Sequence, residues 1–268
     1  MRFIKFLAKK FFPKNLLRVI IKRRYSKKRH ENEKHYHGDN VLCPCCGKRF
    51  DRFMDFEYTK LNDAKRFTGT YKNTVCPYCF SCPRHRIICH FFEQIREIIP
   101  LDGILMIGAE PSVMEWFDRN GSNYTTADLF NRTADIKVDI QNIPFPDESW
   151  KLIVCNHVLE HVPDYRVALS ELRRVLKKDG ILELTVPTDQ NYETVYEDKN
   201  ITGKTERVNA FGQHDHVRLF GNDFGEILAN SGFSVEIIDG SNYPNEIGGV
   251  IGPASYDDNR VYICRRKM

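Results

Sequence analysis

Long apolar runs are missing from this sequence of 268 residues. A membrane-spanning helix needs roughly 20 consecutive apolar residues, so their absence argues against an integral membrane protein. Internal repeats and low-complexity tracts are absent as well. The composition, with 41% hydrophobic and 28% charged residues, excludes collagen-like and wholly disordered chains. The length suits one α/β domain with a smaller module beside it.

Acidic residues are absent from the first 30 positions, which carry twelve lysines and arginines. The rest of the chain has 28 basic and 36 acidic residues, so its net charge is −8 and it shows no basic stripe for binding nucleic acid. In residues 1–30, apolar residues recur at helical spacing opposite the basic ones, with Pro13 as a break. A basic amphipathic arm of this kind is suited to lie on an anionic membrane surface; a solvated or partner-docked terminal helix is the alternative.

A clear signal peptide is lacking too, because lysines interrupt each candidate apolar core near the start of the chain. The nine cysteines are an odd number spread over a long chain, which argues against a secreted disulfide scaffold. We therefore predict a reducing, cytoplasmic compartment, with peripheral contact at the membrane if the arm binds there. In such a compartment, paired cysteines favour a metal over a disulfide.

Two Cys-Pro-x-Cys pairs are the strongest local motif. Each pair forms a knuckle whose two thiolates grip one side of a tetrahedral ion, and two knuckles complete a site with no open position. We therefore predict structural zinc in a small module over residues 41–83, with Cys45 and Cys82 as spare cysteines that could compete as ligands. Two buried thiol pairs without a metal are the alternative. The predicted zinc ligands are Cys43, Cys46, Cys76 and Cys79.

Residues 31–40 are polar and are interpreted as a linker between the arm and this module. Residues 84–268 are assigned to one α/β domain, which opens with an amphipathic helix predicted over residues 84–99. From residue 101, short β-rich runs alternate with helical stretches, which predicts a Rossmann-like, doubly wound, mostly parallel sheet of seven strands. The predicted strands are Ile104–Ile107, Tyr124–Ala127, Ile136–Val138, Leu152–Cys155, Ile181–Val186, Phe233–Ile238 and Val261–Cys264, and the predicted helices are 111–119, 164–177 and 222–231. The polar stretch 188–220 is long for a connection and is interpreted as a lid or a substrate-binding segment.

The first predicted strand of this domain runs directly into a turn that begins at Gly108 and precedes a helix. A small residue there lets backbone amides approach a ligand at the helix N-terminus. Asp128 follows twenty positions later, at the end of the second strand, where a carboxylate accepts hydrogen bonds from both hydroxyls of a ribose. A turn cap or helix cap is the alternative role for Asp128.

Three further segments complete a specific order: VDIQNIPFP from residue 138, CNHVLEHVPD from residue 155 and LRRVLKKDG from residue 172. Taken together with the turn and Asp128, residues 101–239 resemble the class I S-adenosylmethionine-dependent methyltransferases of the small-molecule type. The resemblance implies a Rossmann-like fold, S-adenosylmethionine as the cofactor and methyl transfer as the activity. The cofactor-binding residues that it implies are Gly108, Ala109, Glu110, Asp128, Leu129, Asp139, Ile140, Asn156, His157 and Val158.

The turn after the first strand departs from the pattern of this family. Members usually carry an acidic residue late in the first strand and two or three glycines in the turn. Here Met106 takes the acidic position, and Gly108 is followed by Ala109, Glu110 and Pro111. Glu110 is the residue that would supply the carboxylate for the amino group of the cofactor. A degenerate site that no longer binds the cofactor is the alternative.

The whole chain also resembles a narrower bacterial group of methyltransferases, some of them associated with surface-glycan synthesis. The shared features are the Cys-Pro-x-Cys pair, the segment Arg84-His85-Arg86 and the segment from Phe211 to Arg218. This analogy implies O-methylation of a glycan, a glycolipid precursor or another small molecule. An RNA methyltransferase that uses the zinc module for RNA binding, and a non-catalytic zinc adaptor, are the alternatives.

An oxygen acceptor must lose its proton, and histidine is the side chain best suited to take it near neutral pH. In an extended segment His214 and His216 share one face, so either is a candidate base, and Arg218 beside them is a candidate contact for an anionic acceptor. His161, which follows the fourth strand, is the third candidate base. A segment that only shapes the pocket is the alternative.

Overall fold

The computed structural model describes residues 26–58, 69–243, 256–257 and 260–267. Residues 1–25, which make up most of the predicted basic arm, lie outside these ranges, and contact of the arm with a membrane stays a prediction. Across the described ranges, no helix is both long enough and apolar enough to pass through a bilayer.

The described helices and strands alternate after an N-terminal part that is rich in short strands. The helices are residues 26–35 (α1), Pro83–Gln94 (α2), Pro111–Arg119 (α3), Tyr165–Val175 (α4), Lys204–Phe211 (α5) and Phe224–Asn230 (α6). The strands are Val41–Leu42 (β1), Arg49–Phe50 (β2), Met54–Tyr58 (β3), Gly69–Val75 (β4), Ile104–Ile107 (β5), Tyr124–Ala127 (β6), Trp150–Asn156 (β7), Leu176–Thr185 (β8), Thr188–Asp189 (β9), Tyr196–Glu197 (β10), Arg218–Leu219 (β11), Phe233–Asp239 (β12), Tyr256–Asp257 (β13) and Arg260–Arg266 (β14). A 3₁₀ helix over Gly240–Asn242 follows β12.

The central sheet has the strand order β12–β14–β8–β7–β5–β6. Strands β6, β5, β7 and β8 run parallel, whereas β14 lies antiparallel to both β8 and β12. The predicted Rossmann-like α/β fold is confirmed, with a mixed sheet whose antiparallel pairs lie at one side. Strands β5 and β6 have the predicted bounds, and β7, β8, β12 and β14 extend beyond the predicted ranges at one end or both.

The strand predicted over Ile136–Val138 is wrong in extent, because only its first residue forms a bridge, parallel to Ala127. The Asp135 carboxylate accepts hydrogen bonds from the backbone amide and the hydroxyl of Thr126, at 3.0 and 2.7 Å. The Ile136 amide donates to the Thr126 carbonyl and the Val138 amide to the Asp128 carbonyl, so the segment follows β6 through single backbone bonds and does not form a paired strand. In the described residues the sheet has six strands instead of the predicted seven.

Each face of the sheet carries its own hydrophobic cluster. On one face α4 and α6 pack through fully buried residues such as Leu169, Leu172 and Phe224. On the other face α2 and α3 pack together, with the rings of Phe92 and Trp116 5.5 Å apart between centroids. The paired cysteines belong to this second cluster. The predicted zinc module is therefore part of one core with the sheet and is not a separate appendage.

Helix α2 begins at Pro83 and ends at Gln94, whereas the sequence predicts a helix as far as residue 99. At its start the backbone amide of Cys82 donates to His85 Nδ1 at 3.0 Å. The predicted apolar face is buried over the length of the observed helix. Ile98, which the pattern places on that face, is 63% exposed because the helix ends before it.

Helix α1 corrects the interpretation of a polar linker, which was assigned to residues 31–40. Its polar side chains have partners in the folded chain. Arg29 contacts Glu115 of α3 at 3.2 Å, and the Asn32 side-chain amide donates to the Pro77 carbonyl at 3.0 Å. Composition does not reveal this packing, because polar residues have the same pattern whether they are solvated or paired across the fold.

The polar stretch 188–220 contains ordered elements, namely β9, β10, α5 and β11. Strand β10 pairs with β11, and β9 pairs with β13. Tyr192 and Tyr196 stack with ring centroids 5.5 Å apart, and they line an open groove of about 720 Å³ together with Asn200 and Asn209. The segment therefore presents a formed groove, while its role as a lid stays a prediction.

Candidate functional site

Four buried cysteine side chains meet at one point of the N-terminal part. Their sulfur atoms all lie within 4.8 Å of one another, with Cys43 and Cys79 3.6 Å apart and Cys46 and Cys76 3.8 Å apart. A disulfide has a sulfur–sulfur distance of about 2.05 Å, whereas zinc–sulfur bonds of about 2.3 Å in a tetrahedron give sulfur–sulfur edges of about 3.8 Å. The four thiols therefore have the spacing that a tetrahedral zinc ion requires.

The two Cys-Pro-x-Cys turns have the same hydrogen-bond pattern. In the first, the Gly47 amide donates to the Cys43 carbonyl at 2.8 Å, and in the second the Phe80 amide donates to the Cys76 carbonyl at 3.1 Å. The residue after each turn is in the left-handed region, with φ of 71° at Gly47 and 60° at Phe80. Two matching knuckles thus face each other across the sulfur cluster.

The spare cysteines lie outside this cluster. The Cys45 thiol donates to the His85 carbonyl at 3.4 Å, and the Cys82 sulfur lies 3.2 Å from His85 Nδ1. Of the two cysteines between which the sequence left the choice open, Cys46 is the one whose sulfur converges with the other three. Burial raises the pKa of the Cys43 thiol, but hydrogen bonds from the neighbouring thiols outweigh it and hold that pKa well below its usual range.

The turn after β5 approaches the end of β7 closely. Gly108 has a φ of 65°, and a Cβ atom there would lie 2.8 Å from Val158 Cγ2 and 3.2 Å from the Asn156 carbonyl oxygen. Glycine is therefore required both by the backbone conformation and by the space. The carboxyl ends of β5, β6 and β7 meet at this edge, which is where open α/β sheets bind their ligands.

Glu110 lies at the start of α3 and is held by α2. Its Oε1 is 2.6 Å from Arg84 Nη2 and 2.8 Å from His85 Nε2, whereas Oε2 is buried with no hydrogen-bond partner among the described residues. Burial raises the pKa of Glu110, but Arg84 and His85 outweigh it and hold the pKa well below its usual range. Burial lowers the pKa of His85, while Cys82 and Glu110 raise it to about 9. At neutral pH one oxygen of this anion is left for a further donor.

Asp128 lies at the end of β6 and caps the turn that follows. Its Oδ1 accepts hydrogen bonds from the amides of Phe130 and Asn131, both at 2.7 Å. The alternative role of Asp128 as a turn cap is therefore present in the structure. Leu129 and Phe130, which follow it, are 36% and 85% exposed. The same turn thus presents an apolar surface beside a carboxylate.

Some of the residues implied by the family resemblance do not present side chains at this edge. Ile140 is 4% exposed and packs in the cluster on the α4 face, and Ala109 packs against the cysteine-side cluster. Asp139 is partly exposed, and its Oδ1 accepts from the Gln141 amide at 2.9 Å. Ala109 and Ile140 therefore contribute mainly to the core.

The end of β7 is fixed by its neighbour β8. His157 has a φ of 53°, a conformation that residues other than glycine seldom adopt and that often persists at functional sites. Its amide donates to the Thr185 carbonyl at 3.1 Å, and the Thr185 hydroxyl donates to the buried Asn156 side chain at 2.8 Å. His157 Nδ1 lies 3.2 Å from Glu160 Oε1. Through this contact the end of β7 lies beside a second cluster of polar side chains, to which Glu160 belongs.

Glu160, His161 and His216 form that second cluster. One ligand atom of each lies within 4.8 Å of the other two, and Glu160 Oε1 is 3.9 Å from His161 Nε2. Burial raises the pKa of Glu160, but the neighbouring His157 outweighs it and lowers that pKa. Burial lowers the pKa of His216, which is therefore neutral at pH 7. Sequence reasoning found both histidines but missed Glu160 as their partner.

His214 lies outside the cluster. The sequence predicts an extended segment in which His214 and His216 share a face, but residues 214–215 form a turn. The His214 side chain is 42% exposed, while His216 is 2% exposed. The predicted shared face is wrong, because α5 ends at Gly212 with a φ of 92° and the chain then turns before β11.

Arg218, which the sequence offers as a contact for an anionic acceptor, is a buried clamp. Its Nη1 donates to the carbonyls of Leu159 and Val162, both at 2.6 Å, and its Nη2 donates to the carbonyl of Pro163 at 2.8 Å. Its Nε contacts Glu197 Oε2 at 3.0 Å. These bonds fix the loop between β7 and α4, so the role of Arg218 is to position the cluster that this loop carries.

Sequence reasoning also missed Glu183, a carboxyl group in the middle of β8. It is fully buried, and its polar neighbour is the side chain of Asn156. Burial raises the pKa of Glu183 to about 8. A glutamate between the leucines of a predicted central strand is the signal that could have found it.

Glu183→Gln is expected to make the free energy of unfolding depend less on pH. Because the folded pKa of about 8 exceeds the ordinary value of 4.5, the free energy of unfolding falls as the pH rises from 4.5 to 8. One proton contributes a slope of about 1.4 kcal/mol per pH unit. Guanidinium unfolding of both proteins across this pH range measures the difference in slope. Parallel curves would contradict a neutral, buried Glu183.

A family model for the methyltransferase domain matches residues 72–237, which is more than half of the chain. The chain belongs to this methyltransferase family. The prediction of a class I S-adenosylmethionine-dependent methyltransferase is thereby confirmed at the level of the family. The matched range begins within β4, so it contains the second cysteine turn as well as most of the sheet.

Curated relatives match shorter parts of the methyltransferase. Demethylmenaquinone methyltransferase from Staphylococcus haemolyticus is 43% identical over 61 residues, which are 22% of this chain and 26% of that protein. Mitochondrial arginine-hydroxylase NDUFAF5 from Rattus norvegicus is 31% identical over 118 residues, 42% of this chain and 34% of that protein. The methyltransferase thus spans about a quarter to a third of the length of these relatives.

Among solved structures, YcgJ from Bacillus subtilis has 15% identity and a TM-score of 0.47, covering 69% of this chain and 100% of that one.

Proposed function

We propose that this methyltransferase moves a methyl group from S-adenosylmethionine to a hydroxyl group of a glycan, a glycolipid precursor or another small molecule. The observation that carries the proposal is the carboxyl edge of the sheet, where the Gly108 turn approaches the end of β7, and where Glu110 follows β5 and Asp128 follows β6. Membership of a methyltransferase family supports the reaction type.

The residues at this edge fit the cofactor. Gly108 lets the turn after β5 approach the end of β7 closely, and Glu110 has a buried oxygen that suits the amino group of S-adenosylmethionine. In this arrangement Glu110 replaces the acidic residue that β5 lacks. Asp128 would hold the ribose hydroxyls, and the exposed Leu129 and Phe130 would cover the adenine.

S-adenosylmethionine, when bound, supplies an electrophilic methyl carbon, and its sulfur keeps the electron pair of the carbon–sulfur bond that breaks. The protein aligns an acceptor oxygen with that bond, excludes water and provides for loss of the hydroxyl proton. We place that proton loss at the cluster of Glu160, His161 and His216, which follows the end of β7. Arg218 holds the loop of this cluster in position.

The class of acceptor is argued from the groove in the segment 188–220. Tyr192 and Tyr196 stack beside the side chains of Asn200 and Asn209, a combination of aromatic faces and amides that suits sugar rings. Strand β10, which carries Tyr196 of this groove, pairs with β11, which carries Arg218. The net charge of −8 outside the arm argues against RNA as the acceptor.

The four-cysteine cluster is proposed to hold a structural zinc ion. Thiolates are soft ligands that select zinc over magnesium or calcium, and their spacing fits a tetrahedron. Four protein ligands leave no position for a substrate, so this ion would stabilise the fold and take no part in methyl transfer.

Calorimetric titration with S-adenosylmethionine and S-adenosylhomocysteine tests the cofactor assignment. We expect saturable binding of both by the zinc-replete protein. Gly108→Ala should weaken binding by about tenfold or more, because the added Cβ atom collides with Val158 in a strained backbone. Transfer of labelled methyl groups to glycans and to RNA then tests the acceptor.

Gly121→Ala is the matched control for this titration. Gly121 has a similar φ of 69°, but nothing lies within 4 Å of a Cβ atom placed there, so binding should be unchanged. Folded, zinc-replete protein that binds neither compound would contradict the proposal and favour the non-catalytic adaptor. Methylation of RNA, with an affinity that falls steeply with salt, would favour the RNA methyltransferase.

A further inference from the structure

We propose that Glu160, His161 and His216 bind one divalent first-row transition-metal cation at the acceptor side of the methyltransferase site. The three residues are one of two groups in the described ranges whose ligand atoms converge closely enough for an ion, the other being the four cysteines. Binding of the cation stands independently of the proposed function. Only its role toward the acceptor rests on that function.

The rings of His161 and His216 are each oriented by a hydrogen bond at Nδ1, the nitrogen that would not bind the metal. His161 Nδ1 lies 3.3 Å from the Asp215 carbonyl oxygen, and His216 Nδ1 lies 3.1 Å from the Phe211 carbonyl oxygen. A carbonyl only accepts, so each Nδ1 carries the proton and each Nε2 keeps its lone pair. Metal-bound histidines almost always make this second hydrogen bond.

The Glu160 side chain is a buried carboxylate, which a bound cation would stabilise. It is 1% exposed and lies among imidazoles, with His157 Nδ1 at 3.2 Å and His161 Nε2 at 3.9 Å from its Oε1. A buried carboxylate is costly unless it is paired or coordinates a metal, and its position between these rings suits both. The Val217 amide donates to the Glu160 carbonyl at 2.9 Å, and Arg218 clamps the same loop. The ligand set is therefore held in place without an ion.

The chemical types of the three ligands indicate which class of cation would bind. Two imidazoles and one carboxylate are the ligands of many catalytic zinc sites and of the facial triad of iron enzymes, whereas magnesium and calcium prefer oxygen ligands alone. Glu160 Oε1 and His161 Nε2 are 3.9 Å apart, compared with about 3.4 Å in a tetrahedral site with bonds of about 2.1 Å. A small side-chain rotation closes this difference.

Three protein ligands leave a position open for the acceptor. The His161 side chain is 32% exposed, so the cluster is reached from solvent at this residue. An acceptor hydroxyl bound to the cation would lose its proton to solvent water more readily, because the cation stabilises the alkoxide. That oxygen then takes the methyl group, and the two histidines act as ligands and not as free bases.

Titration with Co²⁺ of the full-length protein that carries one equivalent of zinc, enough for the four cysteines alone, tests the site. We expect one equivalent to bind with visible ligand-field absorption and without the near-ultraviolet thiolate band that the four cysteines would produce. His161→Gln and Glu160→Gln should each lower the affinity for Co²⁺ by more than the roughly 10–100-fold that loss of an outer partner costs. His214→Gln lies in the neighbouring turn but outside the cluster, and it should leave Co²⁺ binding unchanged.

Two outcomes would overturn the cation site: no Co²⁺ binding by the protein that carries one equivalent of zinc, or binding that survives in both ligand variants. His161 is partly exposed, so His161→Gln is expected to fold, and its titration with S-adenosylhomocysteine checks this. Cofactor binding without Co²⁺ binding would remove the cation and leave the proposed function intact. Co²⁺ binding without cofactor binding would support the cation site and remove the proposed function.

Discussion

Replacing Cys46 with serine is expected to release zinc from the four-cysteine cluster and to destabilise the sheet face that packs against it. Zinc binding to small closed sites contributes an apparent free energy of about 10–16 kcal/mol. Loss of even a third of this, about 4 kcal/mol, lowers the Tm of a domain of this size by roughly 8–16 °C. Metal analysis by atomic spectroscopy and thermal unfolding measure the two effects.

Cys45→Ser is the matched control for this variant. Cys45 lies in the same turn and is fully buried, but its thiol donates to the His85 carbonyl and is not one of the four converging sulfurs. A serine hydroxyl makes the same bond, so the zinc should be retained. If Cys46→Ser keeps a full equivalent of zinc and an unchanged Tm, the cluster is a group of packed thiols and the zinc assignment is wrong.

Asp128→Asn is expected to weaken the binding of S-adenosylhomocysteine strongly while leaving the fold intact. Asparagine keeps an oxygen that accepts from the amides of Phe130 and Asn131, so the turn is preserved. It loses the charge to which the ribose hydroxyls would donate, and hydrogen bonds to charged groups contribute about 1.5–3 kcal/mol each. A loss of about 3 kcal/mol corresponds to a roughly 100-fold higher Kd, which calorimetry measures directly.

Asp102→Asn removes a carboxylate at the opposite end of β5 and serves as the control. Asp102 is 75% exposed and contacts Lys151 at the surface, so the substitution should not change cofactor affinity. An unchanged Kd in Asp128→Asn as well would mean that Asp128 caps its turn and has no part in holding a ribose.

Local patterns predicted the parts of the fold whose geometry depends on neighbouring residues. The bounds of β5 follow from a short apolar run that is buried throughout and ends at a turn, and β6 is a short run of β-forming residues that ends at the turn after Ala127. The cysteine knuckles follow from a four-residue motif that repeats. Each of these features is specified within a few residues, so one sequence is enough to predict it.

The parts that could not be predicted depend on distant contacts. Arg218 clamps carbonyls up to 59 positions away, and His161 Nδ1 is 54 positions from the carbonyl that orients it. The spacing of residues within one segment contains no information on such pairs. The shared face of His214 and His216 failed for the same reason, since the turn before β11 is set by packing against the β7 loop.

The start of α3 is tied to the second cysteine turn. The Ser112 hydroxyl donates to the Cys79 carbonyl at 3.0 Å, and His85, which follows that turn, holds Glu110 at 2.8 Å. If zinc occupies the thiols and S-adenosylmethionine binds at Glu110, these contacts join the two sites, and we expect the two binding equilibria to be linked. Removal of zinc should then weaken binding of the methyl donor. By reciprocity, the bound methyl donor should raise the affinity for zinc.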